Sequence, residues 1–216
     1  MRYNDNMMNN TMTYNFLDGA GPVPAHQHSN GGGWVADSAR VVDSAYIGRK
    51  AKVSGTAWVL HNARVFGNAK VFDNAVVRGN ARVYGNAWVY GTAEVYGNAK
   101  VYGTAVVYSN ARVFGNARVY GTAVVYSNAR VFGNARVYGT AWVFDDALVF
   151  DDAEVFGNAK VYGNAEVYGN AEVYDNAMVF DNAMVFGNAA VFGNAKVCDD
   201  AVADGSSLGS TNSIGE

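Results

Sequence analysis

The 216-residue chain is 50% hydrophobic, yet it holds only four leucines and two isoleucines, and its formal net charge is -3. So few large aliphatic side chains exclude a helix bundle, a doubly wound α/β domain and a TIM barrel, whose interiors need them. The small charge does not mark a nucleic-acid binder, the single Cys198 allows no intrachain disulfide, and no run of about 18 apolar residues is present to cross a membrane.

Residues 1–32 do not repeat. They are polar and turn-rich, with Phe16 and Leu17 as their few apolar anchors, and they read as an N-terminal cap or docking arm. The opening Met1-Arg2-Tyr3-Asn4-Asp5-Asn6 lacks the apolar core of a signal peptide. A cytoplasmic or virion-associated location is therefore expected.

Residues 33–203 are a repeat. An alanine recurs every six residues from Ala39 to Ala201 without a gap. Two residues after each stands a valine (once Ile47), and Ala203 closes the series. The unit reads Ala-x-Val-aromatic-Gly-Asn. Ala and Val, two apart, face one side of a short strand, and the residue between them faces the other. Gly-Asn supplies a corner, because both residues tolerate the left-handed conformation. One hexad buries nothing alone, so hexads must stack as a solenoid. Residues 93–110, 111–128 and 129–146 nearly repeat one another, so three hexads close one coil. The expected fold is all-β: about nine triangular coils, roughly 45 Å long at the strand spacing of a sheet. In residues 204–216, Leu208-Gly209 and Ile214-Gly215 are again six apart, which reads as an irregular last coil or a tail.

Like positions of successive coils must form outward columns. The slot after Val is aromatic at every hexad from Phe66 to Phe192 except Arg78, giving three ring ladders that brace the corners. One column between Ala and Val reads Trp88, Val106, Val124 and Trp142, flanked by Lys70 and Lys160. Such a contiguous apolar stripe marks an interface. The neighbouring column reads Arg64, Arg82, Lys100, Arg118 and Arg136, then Glu154 and Glu172. Lysines and arginines dominate residues 40–140, and carboxylates dominate 141–204. The rod is thus a lengthwise charge dipole, which assists antiparallel or head-to-tail association. No nucleic-acid partner is expected, because the rings that could stack on bases sit at corners.

The Ala-x-Val-aromatic-Gly-Asn units resemble the bacterial hexapeptide-repeat family. With the segment Gly31-Gly32-Gly33-Trp34-Val35-Ala36-Asp37, the chain is most similar to YdcK-type repeat proteins of bacteria and phages. The resemblance implies a single-stranded left-handed parallel β-helix and side-by-side homo-oligomers, trimers or dimers. The family also hosts acyltransferases, whose histidine base lies near a loop that leaves the coil. Here no loop interrupts Ala39–Ala201, and His61 is the one histidine in the rod, so it is the candidate base. The family's γ-type carbonic anhydrases hold zinc through three histidines, which makes His26, His28 and His61 the candidate ligands. Asp145-Asp146 and Asp151-Asp152 form an acidic corner cluster, and Thr104, Thr122 and Thr140 make a single column without the paired threonines of an ice-binding face. The leading expectation is a non-catalytic structural or interaction rod without a cofactor, presenting stacked columns to a sister subunit, a protein or a carbohydrate. An acyltransferase using an acyl-CoA-type donor is the alternative, and a carbonic-anhydrase-like metal protein stands behind it.

Overall fold

A computed structural model describes residues 12–17, 21–209 and 213–215. The remaining parts of the expected cap and tail lie outside the described residues. The chain is a three-sided parallel β-solenoid of about ten coils, with no helix among the described residues. Each coil lays one short strand on each face. Face one carries Trp34–Ala36, Lys52–Val53, Lys70–Val71 and so on to Lys196–Val197. Face two starts at Arg40–Val41 and face three at Tyr46–Ile47, and each holds ten strands. Consecutive rungs pair in parallel with an offset of 18 residues, as Val83 with Val101 and Val101 with Val119. The alanine count implies nine coils. The tenth comes from outside it: a rung at Trp34–Ala36 precedes Ala39, and Ser207–Leu208 and Ser213–Ile214 follow Ala201.

The interior is a column of alanine and valine. From Ala45 to Val197 every repeat alanine and valine is essentially without solvent exposure. Burying one valine stabilises by about 1.5–3 kcal/mol, so each hexad adds a similar increment. The corners explain the Gly-Asn pair. Gly85 has φ 73°, and a Cβ there would lie 2.8 Å from the Gly103 carbonyl oxygen of the next coil. Where the slot is not glycine it is mostly aspartate or serine, as Asp73 and Ser109 at φ 57°. Backbone pairing continues around the corner, with the Asn86 amide donating to the Gly103 carbonyl at 2.7 Å.

The last coil is one residue shorter than the others. Val185 still pairs with Ala203, but Val191 pairs with Leu208 and Val197 with Ile214, each 17 residues on. The solenoid absorbs the slip, because Leu208 and Ile214 restore apolar contact with the core column.

The N-terminal segment closes the lower end on two faces. Strands β1 (Thr13–Asn15) and β2 (Pro22–Gln27) form an antiparallel hairpin, and β2 pairs antiparallel with β3 (Trp34–Ala36), the lowest rung of face one. Under face three, the Ile47 amide donates to the Asn30 carbonyl at 3.0 Å, and the Gly33 amide donates to the Ile47 carbonyl at 2.9 Å. The hairpin also leans over the outside of face one. Tyr14 stacks on Trp34 at 4.3 Å, and Phe16, buried, packs with Ala25 and Ala36.

Candidate functional site

Because Ala and Val point inward, the residue between them must point outward, and the register stacks like on like. On face one this places Lys70, Trp88, Val106, Val124, Trp142 and Lys160 on six successive rungs. Trp88 is 42% exposed and Trp142 43%. Each tryptophan meets a ladder ring edge-on: Phe72 with Trp88 and Tyr126 with Trp142, both at 6.2 Å. Each also carries a lysine ammonium over its ring, Lys70 at 4.8 Å and Lys160 at 5.8 Å. Trp88 thus has both its lysine and its ring on the rung below, whereas Trp142 has its ring on the rung below and its lysine on the rung above.

Face three holds the charged column in unbroken register: Arg64, Arg82, Lys100, Arg118, Arg136, Glu154, Glu172. Its sign changes at one contact. Glu154 accepts from Arg136 Nη1 at 2.8 Å and from the Tyr138 hydroxyl at 2.8 Å. Burial first, then this hydrogen bond and the Glu154 charge, hold the Tyr138 proton well above the ordinary phenol range. Arg64 lies over Tyr46 and Phe66 at 5.0 and 5.6 Å. Among the described residues Arg82, Lys100 and Arg118 form no ion pair. Three like charges on neighbouring rungs repel one another, so the column is an exposed cationic strip.

Sequence reasoning singled out face one but passed over face two. There Trp58 is 44% exposed, with the Arg40 guanidinium 5.2 Å from its ring. All four tryptophans of the chain occupy outward slots, and that shared slot is the signal that could have found Trp58.

The aromatic ladders stack at every corner, with centroids 4.7–5.3 Å apart and planes within 11°. Arg78, the single exception in the slot, ends one ladder: its guanidinium lies 4.1 Å from the Tyr96 ring and 3.3 Å from Glu94. Burial, reinforced by phenol neighbours in the ladder, also raises the pKa of Tyr84, Tyr90, Tyr120 and Tyr126. Asparagine ladders run beside the rings and went unseen as such in the sequence. Asn80 donates to Asn98 at 3.2 Å, Asn98 to Asn116 at 3.1 Å, Asn116 to Asn134 at 3.1 Å, and Asn134 to Asp152 at 2.9 Å. The bond direction explains which residues stand where. A carboxylate can only accept, so aspartate ends a run, and threonine begins others by donating upward, as Thr92 does to Asn110.

The candidate catalytic and metal-binding residues are dispersed. His61 sits in an exposed turn at φ 59°, its carbonyl accepting from the Ser44 hydroxyl at 2.6 Å. His26 Nδ1 lies 2.7 Å from Asp37 Oδ1. His28 is buried and its Nε2 donates to the Ala45 carbonyl at 3.0 Å, which satisfies an edge oxygen of the lowest coil. Among the described residues no group of three His, Cys, Asp or Glu could hold a metal ion. Asp145 and Asp151 occupy left-handed corner positions at φ 56° and 57°. Thr104, Thr122 and Thr140 donate to carbonyls of the next coil at 2.8–3.0 Å. No helix among the described residues is long and apolar enough to cross a membrane.

A family model described as the YdcK beta solenoid repeat matches residues 79–91, 111–127 and 129–145. These segments cover the middle of the rod, including Trp88, Val124 and Trp142. A comparison with curated proteins finds none that matches the chain.

Proposed function

We propose that this chain, a YdcK-type β-solenoid repeat protein, is a non-catalytic interaction rod that pairs side by side with a second copy of itself in antiparallel orientation. The observation that carries the reading is the palindrome on face one. Lys70, Trp88, Val106, Val124, Trp142 and Lys160 read the same in both directions about the midpoint between Val106 and Val124. A two-fold contact must be self-complementary. A two-fold axis along the strands through that midpoint lays Val106 against Val124 of the partner subunit and Trp88 against Trp142 of the partner subunit.

Charge favours the same orientation. Antiparallel pairing sets the basic lower half of one rod beside the acidic upper half of the other. Parallel pairing, the arrangement of a three-fold bundle, would set like against like. The mechanism is rigid display: stacked rungs hold the side chains at fixed spacing, so the surface is formed before contact and association orders little. The end lysines meet at the rim, where solvent screens them.

Cysteine crosslinking tests the orientation. A Lys70→Cys chain mixed with a Lys160→Cys chain should give the mixed disulfide. Homodisulfides of either chain alone would indicate parallel packing and overturn the proposal, as would a monomer in sedimentation velocity at high protein concentration.

A further inference from the structure

The ladder beside face one lacks rings at its lower end. Above, the column runs Phe72, Tyr90, Tyr108, Tyr126, Phe144, Tyr162 and Phe180. Below Phe72 it continues as Ser54 and Ala36, whose small side chains leave the space of two rings. Phe16 of the N-terminal hairpin enters part of that space against Ala36. What remains is a cleft of about 240 Å³ between the hairpin and the rod.

Its chemistry is specific. Phe16 and Leu17 form one wall, Phe72 and Trp88 the other, and Ser54 lies at the small-residue gap in the column. Lys52 and Lys70, on adjacent rungs, supply the charge. Neither lysine forms an ion pair among the described residues. Their ammonium groups lie over Tyr14 at 5.1 Å and Trp88 at 4.8 Å. Two cations with no ion-pair partner among the described residues, set against aromatic walls, suit a ligand with an anionic head and a flat apolar body. The volume is below the roughly 300–1,000 Å³ of drug-sized ligand sites, so the ligand is small.

We infer that this cleft is a binding site for a small aromatic carboxylate. Its ring enters the gap above Ser54 between Phe16 and Phe72, and its carboxylate accepts from Lys52 and Lys70. The cleft is formed by the hairpin and the rod of one chain, but its Lys70 and Trp88 also belong to the self-association stripe, so the titration that tests it is repeated on a Trp142→Glu chain, whose cleft is intact and whose stripe is broken.

The test is calorimetric titration of the full chain with 2-naphthoate, with neutral 2-naphthamide as control. Saturable binding at one site per chain is expected, with the amide weaker by about tenfold or more, the size of a charge-assisted hydrogen bond. The Lys52→Gln/Lys70→Gln double variant should lose about the same factor for the acid and little for the amide. The Ser54→Phe variant restores the missing ring and should abolish binding of both. Equal affinity for acid and amide, undiminished binding by a folded Ser54→Phe chain, or no saturable binding would each overturn the inference. The lysine pair is surface-borne and should fold normally, so the test stands even if Ser54→Phe does not fold.

Discussion

The inside and the outside of this rod are one residue apart and obey different rules. Val119 is fully buried and Arg118, its neighbour, is exposed. Inside, nearly every rung repeats Ala and Val, with Ile47 and Leu208 as larger residues near the ends, because three sheets around one axis favour small apolar side chains. Outside, the same strands carry a palindrome on face one and a change of sign on face three. Repetition makes the fold, and departures from repetition make the surfaces.

The largest expected effect tests that division directly. Val119→Asp buries an unpaired carboxylate and should cost about 4 kcal/mol or more. Arg118→Asp, one residue away, should stay within about 0.5 kcal/mol of the parent. Chemical denaturation of the two variants reads both. Equal costs would mean that the interior is not closed.

The next effect acts on association alone. Trp88→Glu with Trp142→Glu should weaken the dimer by about 2–4 kcal/mol, as loss of interface hot spots does, while the melting temperature of the monomer stays near its parent value. Arg82→Glu, on face three, should leave dimerisation through face one intact. Sedimentation velocity separates the two, and loss of the dimer in the face-three variant alone would move the interface.

High pH attacks the outer ladders. Tyr84, Tyr90, Tyr120, Tyr126 and Tyr138 have pKa values raised above 10.0 in the fold, by burial first. A group held protonated by folding contributes its full stabilisation below its unfolded pKa and loses it as pH rises through the folded one. Stability should therefore be flat with respect to these groups through neutral pH and fall above about pH 10. Phenolate absorbance should appear late and together with loss of β signal in circular dichroism. Early, gradual titration of all tyrosines in a folded rod would contradict the burial of the ladders.

The smallest effects are single rungs. Asn98→Ala removes one bond given and one received and should cost about 0.5–1.5 kcal/mol. Arg78→Ala should cost about 0.5–1 kcal/mol through the lost contact with Tyr96. Both are read by denaturant midpoint. A much larger loss at Asn98 would show that the asparagine ladder is cooperative along its length.

Much of this molecule was legible because its signal is periodic. The alanine every six residues and the match at 18 specify three faces, the in-register columns and the inward set. Trp88, Val106, Val124 and Trp142 were found that way, as was the run from Arg64 to Glu172. The asparagine ladders were visible as letters but not as bonds, since a corner residue has a sufficient local reason to be asparagine. His26, His28 and His61 carried no periodicity, and the fold disperses them among a turn, a carboxylate contact and an edge carbonyl. The structure has about ten coils where the alanines alone imply about nine, because Gly33 stands in the alanine slot of the first rung and Leu208 and Ile214 stand one residue out of register in the last.

The sequence by itself therefore determined the solenoid, its three faces, its buried column and the order of charges along it. Each follows from spacing along the chain, and stacking multiplies that spacing identically at every rung. Only the tertiary structure decided where the N-terminal hairpin lies, that His28 satisfies Ala45, that Phe16 packs against Ala36, and that a cleft remains beside Ser54, Lys52 and Lys70. Those contacts join segments with no common period. They are chosen by shape and by unsatisfied backbone groups at the end of the rod, and a repeat cannot encode its own ending.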